Sequence, residues 1–151
     1  MIAAPKTRVH PSAPRVTILG MPSSLIEVRR NYTAAQEVAI IDAVHHALVA
    51  AFQIPAVDKH VRLVVHEPHR FSHNPGLTHP DRYTLVTVDC FAGRSTEAKR
   101  ELYRNITNNL AALDIPADHV TILVRDSATE NWGVRGGHAA CDVDLGFDIN
   151  V

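Results

Sequence analysis

One stretch of this chain occurs twice. FQIPAVDKHVRLVV, from Phe52 to Val65, is echoed by LDIPADHVTILV, from Leu113 to Val124, so that Pro55 and Pro116 stand 61 residues apart (116 − 55). Proline cannot continue a helix and pushes the residue before it towards an extended conformation, so each Ile-Pro pair closes a helix and turns the chain into a strand. A repeat of this length that occurs only twice is too long for a small solenoid unit. The first copy reads as the strand SLIEVRR, the helix Thr33–Phe52 and the strand HVRLVVHE. The second reads as the strand YTLVTVDCF, the helix Ser95–Leu113 and the strand HVTILVRD.

Helical spacing of apolar residues carries both helix assignments. In the first helix the stripe is Val38, Ile41, Val44 or His45, Leu48 and Phe52, and Thr33 with Gln36 three residues on forms a capping box. In the second helix the stripe is Ala98, Leu102, Ile106, Leu110 and Leu113, with Ser95 as N-cap. Two β-α-β units with right-handed crossovers predict one α/β (α+β) domain, a four-stranded sheet with both helices on one face. The units run over about residues 22–66 and 83–126, and a C-terminal hairpin or arm follows around Gly136 and Gly137. The other face of the sheet carries apolar residues with nothing to cover them, which predicts an oligomer.

Composition narrows the function classes. Against 15 Lys+Arg stand 16 Asp+Glu, which argues against a general nucleic-acid binder. No apolar stretch reaches the roughly 20 residues that span a bilayer. Cys90 and Cys141 lack zinc-like spacing and, with no signal peptide evident, are expected as reduced thiols in a cytoplasmic protein. Residues 1–21 carry Lys6, Arg8, Arg15 and three prolines but no acid, and are expected to be a disordered leader or the product of a mis-assigned start. The loop from His66 to Arg82 holds His66, His69, His73 and His79, yet Pro68 breaks any helix that would align the first two as metal ligands. Surface histidines and no metal are the expectation.

Three residues have chemical possibilities. Arg94 sits at a strand-to-helix junction, where a guanidinium and helix amides together suit a carboxylate. Asp58 follows the first Ile-Pro turn and is equally read as a turn former or as a group that orients water or an amine. Pro22 follows Met21; were the chain to start there, removal of the methionine would leave a secondary amine of reference pKa roughly 8. Burial and a nearby arginine would lower that value towards neutrality, which suits a general acid or base. An internal Pro22 could do neither, because its lone pair is delocalised into the amide.

From Met21 onward the chain resembles the tautomerase superfamily, and within it the long-chain group typified by malonate semialdehyde decarboxylase. The resemblance rests on the Met-Pro pair, the doubled unit, the helix end Ala51–Pro55, Asp58 three residues beyond, His66 at a strand end, the Gly-Arg-Ser segment at Arg94 and the tail ENWGVRGG. It implies a homotrimer without a cofactor, acting on a small carboxylate. Pro22, Asp58 and Arg94 would be catalytic, and His66, Arg82 and Trp132 would bind substrate. The related decarboxylase and dehalogenase carry a second arginine just before the Gly-Arg-Ser arginine, where this chain has Phe91 and Ala92. That departure favours keto–enol tautomerisation of a 2-oxo acid over decarboxylation or hydration of a 3-oxo or unsaturated acid. If the leader is retained, the resemblance leaves a non-catalytic trimeric binding protein.

Overall fold

The computed structural model describes residues 22–151; the leader expected over residues 1–21 lies outside them. β1 (Ser23–Val28), α1 (Ala34–Phe52) and β2 (His60–Val65) form the first unit. β3 (Thr84–Phe91), α2 (Thr96–Ala111) and β4 (Val120–Ser127) form the second. Each unit is parallel within itself, β1 with β2 and β3 with β4, and the units join where β1 pairs antiparallel with β3. The strand order is β2-β1-β3-β4. A short hairpin, β5 (Gly133–Val134) with β6 (His138–Ala139), follows where the paired glycines predicted a turn. Gly136 and Gly137 supply its φ values of 75° and 112°.

Local signals start both helices. The Thr33 backbone N–H donates to Gln36 Oε1 at 2.9 Å, and the Gln36 N–H donates to Thr33 Oγ1 at 3.3 Å. Ser95 Oγ accepts from the Ala98 N–H at 3.1 Å. Alternation in the strands then sorts the two faces of the sheet. Ile26, Val28, Val86, Val88 and Cys90 point to the helix side and are buried with Leu102, Ile106 and Leu110 of α2. Val44, His45, Leu48 and Phe52 of the predicted α1 stripe are buried, but its first position is not. Ile40, Val44, Ala47, Leu48 and Ala51 face the core, while Val38 is 56% exposed. Alanines at 47 and 51 let the helix approach closely along a line that apolar periodicity alone ranks below Val38. At 19 residues α1 also comes nearer a membrane span in length and apolarity than the sequence reading allowed. Its apolar side is taken up by the core.

Among the described residues no layer covers the opposite face. Leu25 and Leu85 are half-buried there, and Val64 and Leu123 are exposed. Two polar links lie on the same face: Arg125 with Asp89 at 2.8 Å, and Arg62 donating to Ser23 Oγ at 2.9 Å. Leu102→Ala removes a fully buried side chain at the helix–sheet seam and is expected to lower stability by about 2–5 kcal/mol. Val38→Ala is expected to change it by less than about 0.5 kcal/mol. Urea unfolding of the two variants measures the difference.

Candidate active site

Pairing direction decides which residues meet. Because β1 and β2 are parallel and β3 runs against β1, the starts of β1 and β2 lie at the same end of the sheet as the ends of β3 and β4. Pro22, buried, immediately precedes Ser23, which pairs with His60 on one side and Asp89 on the other. Asp58 comes two residues before His60 in a tight turn whose Asp58 N–H donates to the Pro55 carbonyl at 2.9 Å. Its side chain is fully buried, with Oδ1 3.7 Å from His60 Nε2.

Arg94 follows β3 at this same end. It is 6% exposed, and its Nη1 donates to the Phe91 carbonyl at 3.1 Å. The guanidinium lies between two aromatic rings, 5.2 Å from the centre of Phe52 and 5.9 Å from that of Phe147. Its Nε–H is buried without a protein partner, and among the described residues no carboxylate forms an ion pair with Arg94. Burial lowers its pKa, so the cation sits in an environment that would be eased by an anion.

The C-terminal segment closes over this junction. The Ser95 N–H donates to the Val151 carbonyl at 2.6 Å. Gly93 adopts φ +129°, and a Cβ there would lie 2.8 Å from the Ile149 carbonyl oxygen. Trp132 stands beside the end of β4, its indole N–H on Ser127 Oγ at 2.8 Å and its ring edge-on to Phe91 at 5.5 Å. Behind Arg94, burial pushes the Cys90 thiol up to about 11. Both cysteines are free, Cys90 buried and Cys141 exposed.

Pro22, Asp58, Arg94 and Trp132 therefore gather at one end, but His66 and Arg82 do not join them in this chain. His66 follows the last residue of β2, where its Nε2 meets Glu27 Oε1 at 2.9 Å and its ring packs on Phe71 at 5.1 Å. Arg82 precedes β3 and donates to the Asp114 carbonyl. Both positions lie a strand length away, roughly 17–20 Å for a strand of this size. Phe52, Phe147 and His60 were not singled out by the sequence. Phe52 was visible only as a core residue, and Phe147 lies in a tail without periodicity. Cavity shape also points elsewhere: a cleft of about 300 Å³ between the start of α1 and the end of α2 is lined by Tyr32, Gln36, Ile40 and Asp114, with no cation.

Comparison with known proteins agrees with this fold. A family model described as "Tautomerase enzyme" matches residues 58–135. The chain belongs to the tautomerase family. A structure of FG41 malonate semialdehyde decarboxylase inhibited by 3-bromopropiolate is 31% identical, with a TM-score of 0.66, covering 74% of this chain and 87% of that one. A second malonate semialdehyde decarboxylase, described for decarboxylase and hydratase activities, is 27% identical with a TM-score of 0.72, covering 82% and 100%. Native fused 4-OT, at 20% identity and a TM-score of 0.72 over 81% and 98%, shares the fold. The matched region of this tautomerase-family chain includes Asp58, Arg94 and Trp132.

Gly93→Ala is expected to destabilise the protein by about 1–3 kcal/mol, since it adds both backbone strain and a clash with Ile149. Thermal unfolding reads the loss. A thiol reagent at pH 8 should titrate one cysteine in the native protein, the exposed Cys141, and Cys90 only after denaturation. Because an unfolded Cys90 ionises near 9.0 and the folded one near 11, stability should also fall as pH rises through that window.

Proposed function

We propose that this protein is a cofactor-independent enzyme that moves a proton between carbon and oxygen of a small 2-oxo or enol carboxylic acid. Pro22 is the acid–base group in the form of the protein that begins with it. The observation that carries the reading is Arg94, a buried guanidinium between Phe52 and Phe147 with its Nε–H unpaired, at the sheet end where Pro22 is buried. A substrate carboxylate would supply the missing anion through charge-assisted hydrogen bonds, each worth about 1.5–3 kcal/mol. The same cation would stabilise enolate charge as the proton leaves carbon. A terminal proline amine beside a buried arginine titrates below its reference value of roughly 8, within reach of neutral pH.

Decarboxylation or hydration of a 3-oxo or unsaturated acid is the second reading. It is favoured by the 31% and 27% identity to malonate semialdehyde decarboxylases and by the buried carboxylate of Asp58, which could hold an attacking water or the proline ammonium. In either case the assembly proposed is a homotrimer. Fused 4-OT is described as a trimer, and the open sheet face bearing Leu25, Leu85 and Leu123 needs a cover. His66 and Arg82 would then reach a substrate only from another subunit.

The intact mass of protein made from its own gene is expected to correspond to a chain starting at Pro22. A homogeneous product retaining residues 1–21 would rule out proline catalysis and leave a binding protein. On phenylenolpyruvate, Pro22→Ala should lower kcat/KM by about 10²–10⁴-fold, the usual scale of general acid–base catalysis. Equal activity of the two proteins overturns the mechanism. Asp58→Asn separates the two readings, since loss of decarboxylation with retained tautomerisation would assign Asp58 to the second.

A further inference from the structure

The end of the sheet opposite Pro22 holds a cavity of about 220 Å³, lined by Arg29, Arg30, Pro68 and Asp81. β1 ends at Val28, so the two arginines that follow are released from the alternation of a strand and line one space. Pro68 and Asp81 come from the two ends of the loop that joins the repeat units. Each lies in a single turn of 3₁₀ helix, Pro68–Arg70 and Pro80–Arg82. Arg29 fastens both turns: its Nη2 donates to the Pro68 carbonyl at 3.1 Å and its Nη1 to the Pro80 carbonyl at 3.4 Å. Arg30 lies over the ring of Tyr32, 5.3 Å from its centre.

The charges around this cavity do not close on one another. Among the described residues neither Arg29 nor Arg30 has a carboxylate within ion-pair distance, and Asp81 forms no ion pair. Glu27, one residue before the end of β1, is taken by His66 at 2.9 Å. Carbonyls satisfy two N–H groups of Arg29 but leave its charge unbalanced, and its Nε–H is buried without a partner. Two cations and one anion therefore face a shared space with one positive charge in excess.

That balance selects a ligand. A monoanion cancels the excess, and a carboxylate matches the planar fork of a guanidinium. A hydroxyl on the neighbouring carbon would find its acceptor in Asp81. A phosphate would bring a second negative charge against Asp81, and a zwitterionic amino acid would leave the excess charge in place. We propose that the cavity is a second ligand site, taking a small 2-hydroxy carboxylate: Arg29 and Arg30 hold the carboxylate, and Asp81 accepts from the hydroxyl. The site is independent of Pro22 and Arg94, which stand at the other end of the sheet. Because Arg29 is already fastened to both turns, binding has little left to order there.

The test is a titration of the ¹⁵N-labelled full chain with glycolate at neutral pH, read from ¹⁵N–¹H spectra. The backbone amides of Arg30 and Asp81 should shift saturably. Acetate, which lacks the hydroxyl, should bind about tenfold more weakly, the scale of one hydrogen bond to a charged group. Arg30→Gln should weaken glycolate by about tenfold or more for the same reason. Asp81→Ala should still bind both acids, now with equal affinity. The amides of Ser95 and Ala98, beside Arg94, report binding at the other end separately and should respond alike in wild type and both variants. Shifts confined to that end, or none at either end, overturn the proposal. So do shifts at Asp81 that keep their midpoint in Arg30→Gln. Equal affinity of wild type for glycolate and acetate, or tighter binding of inorganic phosphate, overturns the hydroxy-acid assignment.

Discussion

Two strands far apart in the chain, β1 and β3, pair antiparallel from Ser23–Asp89 to Val28–Thr84, and that seam decides which parts of the molecule meet. Each β-α-β unit alone would be a two-stranded parallel ribbon under one helix, too small to close a core. Joined at the seam, the units bury Ile26, Val28, Val86 and Val88 beneath α1 and α2 together. The pairing also carries the start of β1 to the end of β3, so Pro22 and Arg94 share one end despite standing 72 positions apart (94 − 22). A slip of one residue would turn Ile26 and Val28 to the open face and bring Leu25 and Glu27 into the core. Core and site are therefore fixed by the same register.

Arg94 shows how that register is turned into chemistry. A guanidinium brought out of water needs compensation, and among the described residues Arg94 has one carbonyl from Phe91, the faces of Phe52 and Phe147 and the charge of Asp148 without an ion pair. The rings come from the end of α1 and from the C-terminal tail, so three separate segments must fold before the cation is enclosed. The tail itself is held by the Ser95–Val151 hydrogen bond and by the absence of a side chain at Gly93. Enclosure without full neutralisation leaves a residue whose interaction with an anion is stronger than it would be at the surface.

Much of this was legible in the sequence because the repeat is a statement about topology. The four strands and both helices follow from it, the caps follow from Thr33 and Ser95 at the helix starts, and the grouping of Pro22, Asp58 and Arg94 followed only from the family resemblance. Within one chain His66 and Arg82 stand at the other end of the sheet, as the same topology implies. In a parallel β-α-β unit the end of β2 lies beside the end of β1, away from Pro22, and the loop that follows must start β3 from that far end. Val38 was misjudged because apolar periodicity does not say which of two neighbouring stripes will pack, and the small Ala47 and Ala51 decided it. Phe147 left no signal, since a tail segment with no period reveals its contact only once the sheet end exists.

The duplication also explains how the two ends of the sheet come to differ. Counting back from the helix N-caps, Arg94 before Ser95 corresponds to Tyr32 before Thr33. Counting from the paired strands, with Val61 beside Ser24 and Ile122 beside Val86, Asp58 corresponds to His119. Both members of the second pair are buried, at 1% and 0% exposure. At the far end, however, His119 is tied off. Its Nε2 accepts the His79 N–H at 3.0 Å and its Nδ1 meets Asp118 at 2.8 Å. The loop that joins the units thus fills the second end with its own backbone, and the strand that begins there, β3, is entered through a peptide bond. At the start of β1 the equivalent positions instead hold a carboxylate, Asp58, and an arginine, Arg94. Two copies of one unit build the sheet, and the loop that connects them makes its two ends chemically different.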